Sequence, residues 1–136
     1  MATTALSRPT AQKVSHAVIS AAMRVHTELG PGLLESTYTA CLQYELRDEG
    51  YSALAQVGLP VVYREVKLDL GYRMDLVVEN LVIVEIKSVE AVSPVHHAQL
   101  ISYLKLSGKP IGLLINFNVV HLKDGIKRFV NGSNWQ

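Results

Sequence analysis

The sequence predicts a single α/β domain in which helices flank a mixed central sheet, and three observations carry that prediction. Residues 12–48 repeat their apolar positions at helical spacing, and residues 57–63 and 66–78 alternate apolar and polar as strands do. A third element pair, apolar runs at residues 81–87 and 111–115 joined by a helical stretch, predicts two parallel strands linked by a right-handed crossover. The 136 residues fit one such domain, long enough to bury a core without disulfides or a structural metal, with residues 1–11 expected as a flexible N-terminal segment.

The elements follow in order. Val14, Val18, Ala21, Val25 and Leu29 mark one face of a helix from Gln12 to Leu29. Gly30-Pro31-Gly32 stops it, because glycine suits a left-handed cap and proline cannot continue the ladder. A second helix over Leu33–Asp48 carries Leu34, Tyr38, Cys41, Leu42 and Leu46 on one side and ends at Gly50. Val57, Leu59, Val61 and Tyr63 then alternate, Pro60 marking an edge strand or bulge. From Val66 to Val78 apolar residues alternate with Lys67, Asp69, Gly71, Arg73 and Asp75, which predicts one long strand with a buried face. Glu79-Asn80 turns into a strand over Leu81–Lys87. Ser93-Pro94 starts a helix that runs to Ser107 and ends at Gly108. Ile111–Ile115 is a buried strand, and Val119–Leu122 and Ile126–Val130 flank the hairpin signal Asp124-Gly125.

Composition narrows the function classes. A hydrophobic fraction of 49% and a mean hydropathy of +0.18 predict either a dense core or an apolar face covered by a second copy, so a homodimer is expected. The lone Cys41 excludes a disulfide framework and four-cysteine zinc or iron–sulfur sites, and its helical position reads as core. Residues 1–10 lack the charged start and apolar run of a signal peptide. No apolar stretch approaches the roughly 20 residues of a membrane span, so a cytoplasmic protein with no membrane contact is expected. The net charge is +1, but Lys105, Lys109, Lys123, Lys127 and Arg128 against Glu90 and Asp124 give the C-terminal third a local excess of +3. That permits phosphate contact without demanding it.

The informative anomaly is Val82-Ile83-Val84-Glu85-Ile86-Lys87, the most buried-looking strand, with two charges near its end. At period two Glu85 and Lys87 share a face opposite Val82, Val84 and Ile86. A desolvated carboxylate and ammonium are costly unless they pair with each other or bind a metal. Asp75 occupies a polar position on the preceding strand, and register decides whether it joins them. A two-residue loop at Glu79-Asn80 pairs Asp75 with Val84 and separates the carboxylates. A three-residue connection or a bulge sets Asp75 opposite Glu85 and gathers Met74, Leu76 and Val78 with Val82, Val84 and Ile86 on one apolar face. The hydrophobic pattern selects the second register. Two converging carboxylates suit a hard divalent cation such as Mg²⁺ or Mn²⁺, and a nearby lysine can orient water or stabilise phosphoryl charge. No Ser-His-Asp set or phosphate-cradling glycine loop competes.

Asp75 followed by Glu85-Ile86-Lys87 resembles the bipartite D…(D/E)xK signature of the PD-(D/E)xK nuclease superfamily, with Met74 in the place of its proline. The element order resembles that superfamily's restriction-endonuclease-like αβββαβ core. Gly32-Leu33-Leu34-Glu35-Ser36-Thr37-Tyr38 is similar to the motif that names the GxxExxY family within it. The likeness runs from Val18 to Val130 and takes in Leu29–Gly32, Tyr72–Asp75, His96 through Gln99 to Tyr103, and Leu114–Phe117. It implies Asp75, Glu85 and the backbone carbonyl of Ile86 as ligands of Mg²⁺ or Mn²⁺, Lys87 as the water-positioning residue, and Glu35 as the acid that holds a metal-bound water or second ion. It further implies that Gln99 and Tyr103 line the site or contact the nucleic-acid strand.

Each residue also has a structural alternative. Glu35 gains from the helix dipole in any first turn, and Tyr38 reads as core with a hydroxyl that fixes a neighbour. Gln99, Tyr103 and His96 share a helix face that packing alone would explain. His96 and His97 point about 100° apart and do not ligate together. His16, His26 and His121 have no partner the sequence identifies, and Arg73 either pairs with an acid or meets a phosphate. The expected function is a metal-dependent nuclease acting on DNA or RNA. The competing expectation is a non-catalytic nucleic-acid- or protein-binding accessory module that keeps the fold, which the small size and near-neutral charge favour.

Overall fold

The computed structural model describes residues 8–132, so most of the expected N-terminal segment lies outside the described residues. Thr10 caps α1 (Ala11–Leu29) by accepting from the Lys13 N–H, and Gly30 (φ +70°) ends it. Then come α2 (Glu35–Asp48), β1 (Ala53–Gly58), β2 (Val61–Tyr63), β3 (Val66–Leu68), β4 (Arg73–Val78), β5 (Val82–Lys87), α3 (Pro94–Ser107), β6 (Ile111–Asn116), a 3-10 turn (Leu122–Gly125) and β7 (Ile126–Val130). Five strands form one mixed sheet in the order β1-β4-β5-β6-β7, with β5 and β6 parallel and the other neighbours antiparallel. This is the expected α/β architecture of the restriction-endonuclease type.

Two apolar layers hold the sheet. On one face Val14, Val18 and Val25 of α1 and Tyr38, Leu42 and Leu46 of α2 cover Leu76, Val78, Val82, Val84, Ile86 and Leu113. On the other, Leu100, Tyr103 and Leu104 of α3 cover Val77, Ile83 and Leu114. Cys41 is only half-buried at the margin of the first layer, a correction to its expected core position.

The β4–β5 register is the one the hydrophobic pattern selects: Val78 pairs with Val82 and Leu76 with Val84, across the three-residue connection Glu79-Asn80-Leu81. Glu79 and Asn80 take positive φ of 53° and 58°, the left-handed geometry that tight connections require. One detail of the expected face is wrong. Met74 packs with Val77, Ile83 and Tyr103 on the α3 side, not with Leu76 and Val78. Alternation breaks between Met74 and Leu76, where Gln56 on β1 takes φ +54° and drops out of the β1–β4 ladder together with Asp75.

Three other expectations are corrected. The long strand from Val66 to Val78 is two strands, because the Asp69 side chain accepts from the Gly71 N–H at 3.3 Å and Gly71 turns with φ +85°. The short β3 then pairs with β2 in a separate two-stranded sheet, and the alternating run from Val57 to Tyr63 is likewise split at Leu59-Pro60. Finally, Asp124-Gly125 ends a 3-10 turn and joins no hairpin; β7 pairs with β6 instead. Gly125 is pressed so closely there that a Cβ would lie 2.2 Å from the Asn116 carbonyl oxygen. Gly125→Ala is therefore expected to cost about 2 kcal/mol, as overpacking does, and to lower the melting temperature by roughly 5 °C or more.

Candidate active site

Asp75 and Glu85 meet where β4 and β5 part. Beyond Leu76 and Val84 the ladder between these strands stops, and side chains replace it. The Asp75 N–H donates to Glu85 Oε2 at 3.0 Å, and the Ile86 N–H donates to Asp75 Oδ2 at 2.8 Å. Each carboxylate thus fills a backbone position on the neighbouring strand, and each keeps a second oxygen. The Ile86 carbonyl leaves β5 on the same side as its N–H, toward the gap that the departing β4 has opened.

Burial and mutual repulsion dominate the electrostatics. Desolvation, then the Asp75 charge, pushes the Glu85 carboxyl up to about 8, against the opposing pull of the Asp75 N–H and of Lys87. Desolvation also raises Asp75, opposed by the Ile86 N–H, by Lys87 and by the nearby Gln56 side chain. The charge of Glu35 raises both. Glu85 is 5% exposed, and the ion pairs among the described residues are those of Arg24 with Glu45 and Glu49. Lys87, half-buried at the end of β5, therefore makes no direct ion pair with Glu85, which removes the plain Glu–Lys pair as the reason for two charges on this strand.

Glu35 opens α2 and is placed by its contacts, beyond any dipole effect. Its Oε2 accepts from the Ser88 N–H at 3.0 Å, the residue after Lys87, while Ser88 Oγ donates to the Leu33 carbonyl at 2.7 Å. Tyr38, fully buried and stacked on Phe117 at 4.3 Å, holds the preceding turn. Its hydroxyl donates to the Gly30 carbonyl at 2.6 Å and accepts from the Leu33 N–H at 3.1 Å. Tyr38 thus lines the turn that aims Glu35, not the carboxylate gap.

The remaining candidates separate. Tyr103 is buried beside the gap, edge-on to Tyr72 at 6.2 Å, and burial followed by the charge of Glu85 raises its hydroxyl above the usual range. Gln99, half-buried one turn earlier on α3, enters none of the hydrogen bonds that hold the carboxylates. His96 completes a capping box at the start of α3, where its Nδ1 accepts from the Ser93 N–H at 3.2 Å, so it serves the helix end. Arg73 donates to the Tyr72 carbonyl and lies over β1.

Sequence reasoning missed two residues. Gln56, whose side chain favours the charged form of Asp75, sits in a strand that offered no sign of its left-handed backbone. Asn116 is 3% exposed, and its side chain accepts from the Val89 N–H and donates to the Val89 carbonyl, pinning the chain just past Lys87. A buried amide at the end of an otherwise apolar strand was the available signal.

Among the described residues no three His, Cys, Asp or Glu side chains group closely enough to hold a metal ion alone. The donor set is instead two carboxylates and a free carbonyl, all hard oxygens, with repulsion that a cation relieves. That fits Mg²⁺ or Mn²⁺, which keep several waters in their shell. Among the described residues no helix is long and apolar enough to cross a membrane.

A family model described as PD-(D/E)XK nuclease superfamily matches residues 12–129. Comparison with curated proteins and with solved structures finds no match.

Proposed function

Because the chain belongs to the PD-(D/E)XK nuclease superfamily, whose nucleases generally use divalent metals, we propose that it hydrolyses phosphodiester bonds of DNA or RNA at Asp75, Glu85 and Lys87. The observation that carries this reading is the reciprocal bonding of Asp75 and Glu85 across the opened ladder, which converges two desolvated acids with no cation among the described residues paired to them. Asp75, Glu85 and the Ile86 carbonyl would hold Mg²⁺ or Mn²⁺, which supplies Lewis-acid polarisation of the phosphate and lowers the pKa of water. Lys87 projects from the same strand face as Glu85, so its ammonium orients the attacking water and steadies charge on the phosphoryl oxygens. Glu35, held by Ser88, accepts a hydrogen bond from water at the edge of the gap, and Tyr103 walls the α3 side. Gln99 and Arg73 are read as strand contacts.

We assign the chain to the GxxExxY family on Gly32, Glu35 and Tyr38. The hydrogen bonds of Tyr38 to the glycine turn and of Glu35 to Ser88 give that spacing a physical purpose and support the assignment. A homodimer, expected from composition, is supported by the apolar hollow of about 870 Å³ between α1 and α2, whose walls include Met23 and the exposed Tyr44. A cytoplasmic location is proposed with it.

The test is cleavage of labelled single- and double-stranded DNA and RNA with Mn²⁺, alongside melting with and without the ion. Wild type is expected to cut at least one substrate and to melt several degrees higher with Mn²⁺; Lys87→Ala is expected to keep the melting shift and lose at least about 100-fold in rate. The accessory-module reading, favoured by the net charge of +1, predicts nucleic-acid binding and a melting shift with no cleavage. Equal cleavage by wild type and Lys87→Ala overturns the assignment.

A further inference from the structure

The β2–β3 hairpin stands outside the main sheet, and between it and β1 lies a polar hollow of about 480 Å³ lined by Gln56, Gly58, Lys67, Asp69 and Arg73. We infer that this hollow binds a backbone phosphate of the nucleic-acid strand, next to the one at the carboxylate gap, through Arg73 and Lys67. The inference rests on the nuclease reading and extends it to a second point on the same strand.

Four observations converge. First, Lys67 and Arg73 meet in one concave site, and neither forms an ion pair, since those among the described residues belong to Arg24. Second, the two cations outnumber the one acid in the hollow: Asp69 keeps its charge, but one of its oxygens is turned to the Gly71 N–H in the turn that ends the hairpin. Third, Arg73 is seated. Its register partner on β1 is Gly58, and a Cβ there would stand 3.2 Å from Nη1, so the absent side chain leaves the guanidinium room to lie over the strand. Its backbone anchor is a single hydrogen bond to the Tyr72 carbonyl, which leaves most of the fork free for phosphate oxygens. Fourth, Gln56 belongs to both places: it lines the hollow, and its side chain is near enough to Asp75 to favour the charged carboxylate. A strand whose phosphate enters the carboxylate gap passes the hollow on that side.

The probe is a fluorescein-labelled oligonucleotide of whichever class wild type cuts, titrated by anisotropy in Ca²⁺ at several salt concentrations. Arg73→Gln and Lys67→Gln are each expected to weaken binding about 3- to 10-fold and to lower the salt slope by about one ion, while Lys13→Gln on α1 changes neither. Gly58→Ala, which keeps every charge, is expected to weaken binding by displacing the guanidinium. The Mn²⁺ melting shift stays at its wild-type size in all four. Should wild type cleave while Arg73→Gln and Lys67→Gln bind no worse than Lys13→Gln, the subsite falls and the nuclease reading stands. Should wild type neither bind nor cleave any nucleic acid, the nuclease reading falls and takes the subsite with it.

Discussion

Glu85→Gln is expected to cut the Mn²⁺-dependent cleavage rate at least about 1000-fold while leaving the metal-free protein as stable as wild type at pH 5 and more stable at pH 8. The two effects share one cause. The glutamine oxygen can still accept from the Asp75 N–H, so the bond that replaces the ladder survives. What disappears is the negative charge, which burial and Asp75 both penalise. The sign follows from linkage. A carboxyl held near 8 in the fold and near 4.5 unfolded contributes stability that is complete below about pH 4.5 and lost as pH rises through about 8. Asp75 is raised as well and acts in the same direction. The melting temperature of wild type minus that of Glu85→Gln, measured without metal, should fall by roughly 5–10 °C from pH 5 to pH 8. A flat difference would mean that Glu85 is not desolvated. Activity traded against stability in this way marks a group kept for chemistry.

Mn²⁺ affinity should rise about tenfold per pH unit up to pH 8 and level off above it. Ligation requires the charged carboxylate, and below its pKa each ion must displace a proton from Glu85. Isothermal titration in two buffers of different protonation enthalpy reads the proton directly: close to one released per ion at pH 6.5, close to none at pH 9. In Asp75→Asn the repulsion that helps to raise Glu85 is gone, so the proton count at pH 6.5 should drop even as affinity falls. A pH-independent affinity in wild type would show that the ion enters without Glu85.

Much of this arrangement was legible in the residues. The register that joins Asp75 and Glu85 follows from burial alone, because the alternative would turn Leu76 and Val78 to the wrong face of the sheet. Glu35 was found through its motif, and its distance of 53 residues from Ser88 in the chain is why no local argument could supply its partner. Met74 escaped because the left-handed backbone at Gln56 is imposed from outside the local pattern, and period-two reasoning carries no term for it. At Asp69-Leu70-Gly71 a turn signal was present, but the surrounding alternation outweighed it. His96 was missed as a cap because the third position of a capping box is ordinarily Glu or Gln. Arg73 depended on a neighbour's missing side chain, Gly58, which only the strand register reveals.

Ser88 has a consequence for how much of the proposed site is built in advance. With its amide on Glu35 and its hydroxyl on Leu33, this one serine rivets the start of a helix to the tip of the central strand. Outer acid and strand tip are thereby joined in the fold itself, and little backbone ordering would be left to lose on loading. On the nuclease reading, the setting of Glu35 is fixed by folding, and loading would wait on charge neutralisation.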